Sequence, residues 1–373
     1  MRARQLGITL GLGTPGELNA ITDVPGVRVG HTTLKAEIDG KQVRTGVTLI
    51  QPRAGEARHQ PCFAGYHVLN GNGDATGLEW IREAGLLTSP IAFTNTHSLG
   101  VVRDALIVLD REQQPDDGRL YWNMPVVLET YDGLLNDING FHVKPEHVAQ
   151  ALHAAAGGPV AEGNVGGGSG MICHEFKGGI GTASRRLSSA QGGWTVGAIV
   201  QANHGIRNEL RVDGYPVGRY MEQVDSPFLK AALPHPGMGS IVVCLATDAP
   251  LLPHQCTRLA QRASLGLART GGGNEDHSGD IFIAFATGNQ HVPPAAYESK
   301  KAPTCDNLSM VNNDHISELF LAATEAVEEA IINALLAAET TEGNGHAVPG
   351  LDAETLLEAL NQAGWPGKHH RRS

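Results

Sequence analysis

His235-Pro236-Gly237-Met238-Gly239-Ser240 runs straight into Ile241-Val242-Val243-Cys244-Leu245-Ala246-Thr247. The second half is an unbroken run of β-branched and small apolar residues, the pattern of a strand buried on both faces. The first half is a turn rich in glycine and proline. Together they deliver a serine to the first position of a buried strand. Gly239 has no Cβ, so the peptide before Ser240 can adopt a strained geometry with its carbonyl open to attack. If that bond breaks, Ser240 acquires a free α-amine with a pKa of about 7.7–8.0, suited to act as a base at neutral pH. An N-terminal Ser, Thr or Cys thus carries nucleophile and base on one residue. Taken alone, the Gly-Ser pair reads more readily as a turn opening an ordinary strand.

Working outward, comparable short apolar runs occur at Gly46–Ile50, Pro90–Thr94, Pro125–Thr130, Trp194–Gln201 and Ile281–Thr287. Each ends in turn-forming or polar residues, as buried strands do. Helical periodicity is clearest over Asn313–Thr340, with Asn313 or Asp314 able to cap its start. Further helices are expected at Asp74–Ala84, Pro145–Ala156, His254–Ala268 and Asp352–Ala363, the last capped by Asp352 and stopped by Gly364. Asp110–Gly118 and Thr341–Pro349 read as surface loops. No repeat period and no low-complexity linker marks a boundary, so residues 1–373 are expected to form a single interlaced α/β domain.

Composition narrows the function. The chain has 373 residues, 41% apolar and 18% charged, enough for one large core or two smaller ones. The formal charge of −11 argues against a nucleic-acid partner, which needs a basic surface. The one basic cluster is the short tail Lys368–Arg372. No apolar run approaches the roughly 20 residues needed to cross a bilayer, and the N-terminal stretch is too polar for a signal core. A soluble, cytoplasmic chain is expected. Its five cysteines are scattered with no CxxC pair, and none of its 17 histidines shows a ligand spacing such as HExxH. No metal and no cofactor are therefore expected.

Several ordered stretches carry a resemblance. They are Ile21-Thr22-Asp23-Val24-Pro25-Gly26-Val27-Arg28-Val29-Gly30-His31-Thr32, Asn70-Gly71-Asn72-Gly73-Asp74-Ala75-Thr76-Gly77 and Glu129-Thr130-Tyr131-Asp132-Gly133. Further on come Gly163-Asn164-Val165-Gly166-Gly167-Gly168-Ser169-Gly170, Val200-Gln201-Ala202-Asn203-His204-Gly205, Gly239-Ser240 and Ala268-Arg269-Thr270-Gly271. Through nearly its whole length the chain resembles the DmpA-type aminopeptidases, which comprise L-aminopeptidase/D-esterases and β-aminopeptidases. The resemblance implies a four-layer αββα sandwich, an architecture shared with the self-cleaving ornithine acetyltransferases. It also implies autoproteolysis between Gly239 and Ser240 into an α chain (1–239) and a β chain (240–373). The processed protomers would form a homo-oligomer acting on small peptides, amides or esters with a free amine.

The same resemblance assigns roles. Asn203 would donate its side-chain amide to the oxyanion at the scissile carbonyl, where such a donor is typically worth about 3–4 kcal/mol. Tyr131 would be a second oxyanion contributor, through its hydroxyl or its backbone N–H. Glu129, two residues earlier and expected on the same strand face, would bind the substrate's ammonium group. Ser278 and Asp280 match a Ser–acid pair that supports the nucleophile. Glutamate can stand at the acidic place in the family, so Glu275 or Asp276 could substitute for Asp280. The glycines at 166–170 lack the endings of a phosphate loop and read as the wall of a cleft.

Three competing readings remain. A Ser–His–Asp hydrolase could use His204, His254 or His277, but there is no GxSxG elbow and a strand follows the serine. An acyltransferase of the same fold would pass the acyl group to an amine. A self-processed scaffold would have no active cleft.

Overall fold

The alternation in Ser240–Thr247 sorts its side chains between two cores. Ile241, Val243 and Leu245 pack into one, Val242, Cys244 and Ala246 into another. A computed structural model describes residues 1–54, 57–114, 121–228, 239–294 and 302–367. Residues 235–238 of the opening stretch, the tail Lys368–Arg372 and residues 115–118 of the first expected loop lie outside these.

In chain order the main elements begin with β1 (Arg28–Ile38), β2 (Lys41–Gln51), β3 (Cys62–Gly71), α1 (Leu78–Ala84), β4 (Leu86–Leu87), β5 (Ile91–Asn95), α2 (Leu99–Glu112), β6 (Val126–Thr130) and α3 (Pro145–His153). They continue with β7 (Ile172–Cys173), β8 (Phe176–Lys177), β9 (Gly179–Arg186), β10 (Thr195–Asn203), β11 (Ser240–Thr247), α4 (Pro253–Ala260), α5 (Arg262–Thr270) and β12 (Gly279–Ala286). The C-terminal part holds α6 (Ser317–Ala337), β13 (Thr341–Gly343), β14 (His346–Val348) and α7 (Ala353–Gln362). A six-stranded sheet has the order β4-β3-β12-β11-β10-β9, and a four-stranded sheet the order β1-β2-β5-β6. Between the sheets Val242, Cys244, Ile281 and Ile283 meet Ile50, Phe93, Val126 and Leu128. Outside the large sheet α4, α5, α6 and α7 cover Val243 and Phe282, while α2 and α3 cover Val47, Leu49 and Val127 of the small one. The result is the four-layer αββα sandwich.

The six expected strands and the expected helices are present, with shifted ends. The His254–Ala268 helix divides at Gln261 into α4 and α5, and the Asp74–Ala84 helix starts only after Gly77. Asp352 caps α7 by accepting the Thr355 N–H at 2.8 Å. At the start of the long helix neither Asn313 nor Asp314 is the cap. Asn312 accepts the Asp314 N–H at 3.0 Å, and a short 3-10 turn precedes α6. The expected loop Thr341–Pro349 is the hairpin β13–β14, and Asp110 belongs to the last turn of α2.

The long strands β1, β3 and β9 had no clear sequence signal. The outer half of β1 and the end of β3 are exposed and so lack an apolar run. In β9 a Cβ on Gly181 would meet the backbone of Ala330 and Ala334, so the close seating of α6 demands glycine where a strand former is expected. The helix α2 does show Leu99, Val102, Ala105 and Leu106 at helical spacing. Within the core α6 carries Glu325 and Glu329, which pair with buried Arg185 at 3.0 and 2.8 Å; a buried charge is tolerated only when paired in this way.

Candidate active site

Strand register brings the expected residues to one end of the sandwich. Antiparallel pairing of β10 with β11 places Asn203 opposite Ser240. By strand alternation both turn toward the space between the sheets, Ser240 with Val242 and Asn203 with Ile199. Parallel pairing of β11 with β12 sets Gly279 beside Ser240. The Gly279 N–H is shared: it donates to the Ser240 hydroxyl oxygen at 3.1 Å and to the Gly239 carbonyl at 3.2 Å. Nucleophile and the carbonyl that precedes it therefore converge on one donor. A Cβ on Gly239 would run into the carbonyl of Asn203, so close approach, rather than a left-handed backbone, requires glycine there.

Asn203 is held at both ends of its amide. Its Oδ1 accepts the Ile172 N–H at 2.7 Å, and its Nδ2 donates to the Tyr131 carbonyl at 2.9 Å. One Nδ2 hydrogen thus orients the group, which leaves the other for a ligand.

Glu129, at 3% exposure, sits near the end of β6. Its Oε1 accepts the Asp74 N–H at 2.8 Å and its Oε2 the Thr96 hydroxyl. A Cβ on Gly73 would lie 3.2 Å from both Glu129 Oε1 and Gly279 Cα, so the bare backbone at Gly73 lets the carboxylate approach the start of β12. Burial pushes the Glu129 carboxyl above its ordinary range, opposed by the hydrogen bonds from Thr96 and Asp74 and by nearby His97.

The period-two expectation linking Glu129 to Tyr131 does not hold. The strand ends at Thr130, and Tyr131 is 53% exposed. Its phenol folds over Gly133 at a polar cleft of about 590 Å³ that Gln42, Asn136 and Asp137 also line. What joins Tyr131 to Asn203 is its backbone carbonyl.

Ser278 donates to Asp280 Oδ1 at 2.6 Å, and the carboxylate also receives the backbone N–H of Ile241. The short aspartate therefore does reach Ser278 and the residue after the nucleophile. Burial raises the Asp280 carboxyl to about 6, against the hydrogen bonds of Ser278 and Ile241, and the Glu275 charge raises it further. Asp276 is exposed.

In the turn at 166–170 the glycines are buried in packing, while Ser169 lines a cavity of about 240 Å³ with Lys35, Arg44 and Glu162. A Cβ on Gly167 would collide with Gln201 Oε1, and Gly168 lies against Ile180. Buried Lys177 anchors the turn, donating to the Gly168 and Gly178 carbonyls at 3.1 and 2.9 Å.

Among the described residues no imidazole is hydrogen-bonded to Ser240. His204 is buried beside His174, His254 lies in the first turn of α4, and His277 is exposed. Thr96 and the Gly279 N–H were not foreseen. A backbone donor leaves no mark in a sequence, and Thr96 is isolated from the motifs.

Fold and site define a hydrolase with serine at the head of a central strand. Residues 19–348 match the model of Peptidase family S58. A solved structure, a β-aminopeptidase of Burkholderia sp., is 67% identical with a TM-score of 0.92, covering 98% of this chain and 99% of that one. The β-peptidyl aminopeptidase BapA of Sphingosinicella microcystinivorans is 48% identical over 97% of this chain and 92% of its own. The L-aminopeptidase D-Ala-esterase/amidase of Ochrobactrum anthropi is 45% identical with a TM-score of 0.88, over 97% of this chain and 99% of that one. Its structure is described as a prototype for the serine aminopeptidases and a new variant among the Ntn hydrolase fold. The chain belongs to Peptidase family S58 and is an aminopeptidase with an N-terminal nucleophile. The acyltransferase and scaffold readings fall away with that match.

Proposed function

We propose that the chain cuts itself between Gly239 and Ser240 and then removes N-terminal β-aminoacyl residues from small peptides and amides. The observation that carries this reading is the Gly279 N–H, bonded to both the Ser240 Oγ and the Gly239 carbonyl. The Ser240 hydroxyl adds to that carbonyl carbon and its proton passes to the departing Ser240 nitrogen. The C–N bond breaks, an ester forms, and water releases the Gly239 carboxyl. Residues 1–373 act as one interlaced domain throughout. In the large sheet β11 and β12 lie between β10 and β3, so fragments 1–239 and 240–373 stay joined by strand pairing.

In the processed enzyme the free α-amine takes the hydroxyl proton as Ser240 attacks a substrate carbonyl. Asn203 donates to the oxyanion, and the Tyr131 carbonyl, just past β6, keeps that amide oriented. Glu129 receives the substrate's ammonium. Asp280, through Ser278, supports the nucleophile and its amine. The β-aminoacyl assignment rests on likeness to the Burkholderia and Sphingosinicella proteins. Processed protomers assemble into a homo-oligomer, and the free thiols of Cys62, Cys173, Cys244 and Cys256 suit a reducing cytoplasm.

Intact-mass analysis with N-terminal sequencing tests the cut: two fragments are expected, the smaller beginning at Ser240. β-Alanyl p-nitroanilide should then be hydrolysed faster than L-alanyl p-nitroanilide; the reverse order would overturn the substrate class.

The Asp280 carboxyl, raised to about 6, gives a pH signature. A carboxylate acceptor is needed, so kcat/KM should climb as pH rises through about 6, and Asp280→Asn should remove that limb. The stability effect has the opposite sign. A folded-state pKa above the unfolded value of about 3.9 favours the fold at low pH, and that contribution is lost as pH rises through about 6.

A further inference from the structure

Beside the active site the fold gathers three ligand-type side chains that the proposed chemistry does not use. Cys173 ends β7, His174 follows it in the turn to β8, and His204 follows the last residue of β10. The His174 N–H donates to the His204 carbonyl at 2.7 Å, which locks the two segments together. Cys173 Sγ lies 3.9 Å from His204 Nδ1, and the rings of His174 and His204 meet edge to face at 5.2 Å. One ligand atom from each of the three falls within 4.8 Å of the others, and all three residues are buried.

The hydrogen bonding points to a ligand. His174 Nδ1 lies 2.9 Å from the Ile206 carbonyl, which can only accept, so this nitrogen carries the proton. The lone pair therefore sits on Nε2, which has no hydrogen-bond partner among the described residues. A metal-binding histidine is commonly arranged so, with one nitrogen fixed by a backbone carbonyl and the other bare.

We propose that Cys173, His174 and His204 form a binding site for one thiophilic d10 ion, Cu⁺ or Zn²⁺. One thiolate and two imidazoles are soft and borderline donors that favour these ions over Mg²⁺ or Ca²⁺. Cu⁺ with the thiolate is neutral overall, which suits a buried site; Zn²⁺ leaves one positive charge. Binding forms the metal–sulfur and two metal–nitrogen bonds and releases the Cys173 thiol proton to solvent. With bonds of about 2.3 Å to sulfur and 2.0–2.1 Å to nitrogen, tetrahedral geometry sets sulfur and nitrogen roughly 3.6 Å apart. Closing from 3.9 Å draws in both neighbours of Asn203, because Ile172 holds its Oδ1 and His204 follows it in the chain. Occupancy should therefore slow turnover.

The test titrates the full-length protein with Cu⁺ against a chromophoric chelator, and separately with Zn²⁺. All proteins carry Cys305→Ser, since Cys305 is an exposed thiol. One ion per protomer is expected, at least about 10–100-fold weaker in both Cys173→Ser and His174→Asn. Asparagine suits position 174, where φ is +48°. No retained ion of either kind, or retention by both variants equal to the parent, would overturn the site. The slowed kcat rests on the role proposed for Asn203, whereas the ion count does not. A bound ion with unchanged kcat would overturn that coupling alone.

Discussion

Ser240→Ala should yield a single uncut chain of 373 residues and lose aminopeptidase activity by at least about 10⁴-fold. Both losses have one origin. Without Oγ nothing adds to the Gly239 carbonyl, so the α-amine is never freed and no acyl group can be carried. The fold should survive. Alanine is smaller than serine, and the strand pairing of residue 240 with residues 203 and 279 uses backbone atoms only. The Gly279 N–H loses its hydroxyl acceptor but keeps the Gly239 carbonyl at 3.2 Å, so no buried donor is orphaned. An unchanged melting temperature beside an intact mass for the uncut chain would locate the defect in chemistry. An uncut parent with full activity would sink the mechanism, because the amine of Ser240 would then still be an amide. A Ser240→Ala protein that is still cut at residue 239 would show that another group attacks the carbonyl.

Much of this arrangement could be read from residues whose neighbours share their burden. Strand β11 was legible because Ile241 and Val243 face the helices while Val242 and Cys244 face the other sheet, which makes every position apolar. Asn203, Ser278 and Asp280 were singled out by their match to the family pattern, and strand pairing at Asn203, Gly279 and Asp280 sets them beside Ser240 and Ile241. The blanks have physical causes. In β9 the backbone of α6 demands glycine at 181 and the backbone of Gly163 demands it at 179, and β1 is too exposed along its outer half to show an apolar run. The face expected to be shared by Glu129 and Tyr131 failed because period two holds only within a strand, and β6 ends one residue before Tyr131. The Cys173–His174–His204 cluster has no ligand spacing to search for. Only the hairpin β7–β8 docking on the end of β10 brings the three together.

Glu129→Gln should separate recognition from self-processing. The amide keeps the size of the carboxylate and can still accept the Asp74 N–H through one oxygen, but it cannot balance a substrate ammonium. A hydrogen bond to a charged group contributes about 1.5–3 kcal/mol, so kcat/KM toward substrates with a free amine should fall roughly 10- to 150-fold. The loss should appear mainly in KM, since an ammonium held away from the reacting carbonyl is bound alike in ground and transition states. The cut at Gly239–Ser240 involves no ammonium, so the variant should still give two fragments. Burial works against the wild-type carboxylate by raising its pKa. Thr96 and the Asp74 N–H oppose that shift, so Thr96→Val should weaken substrate binding in the same sense as Glu129→Gln and to a smaller extent. Wild-type kinetics in Glu129→Gln would mean that the carboxylate only holds Thr96 and Asp74 in place. Loss of the cut itself would move Glu129 from substrate recognition to the assembly of the nucleophile.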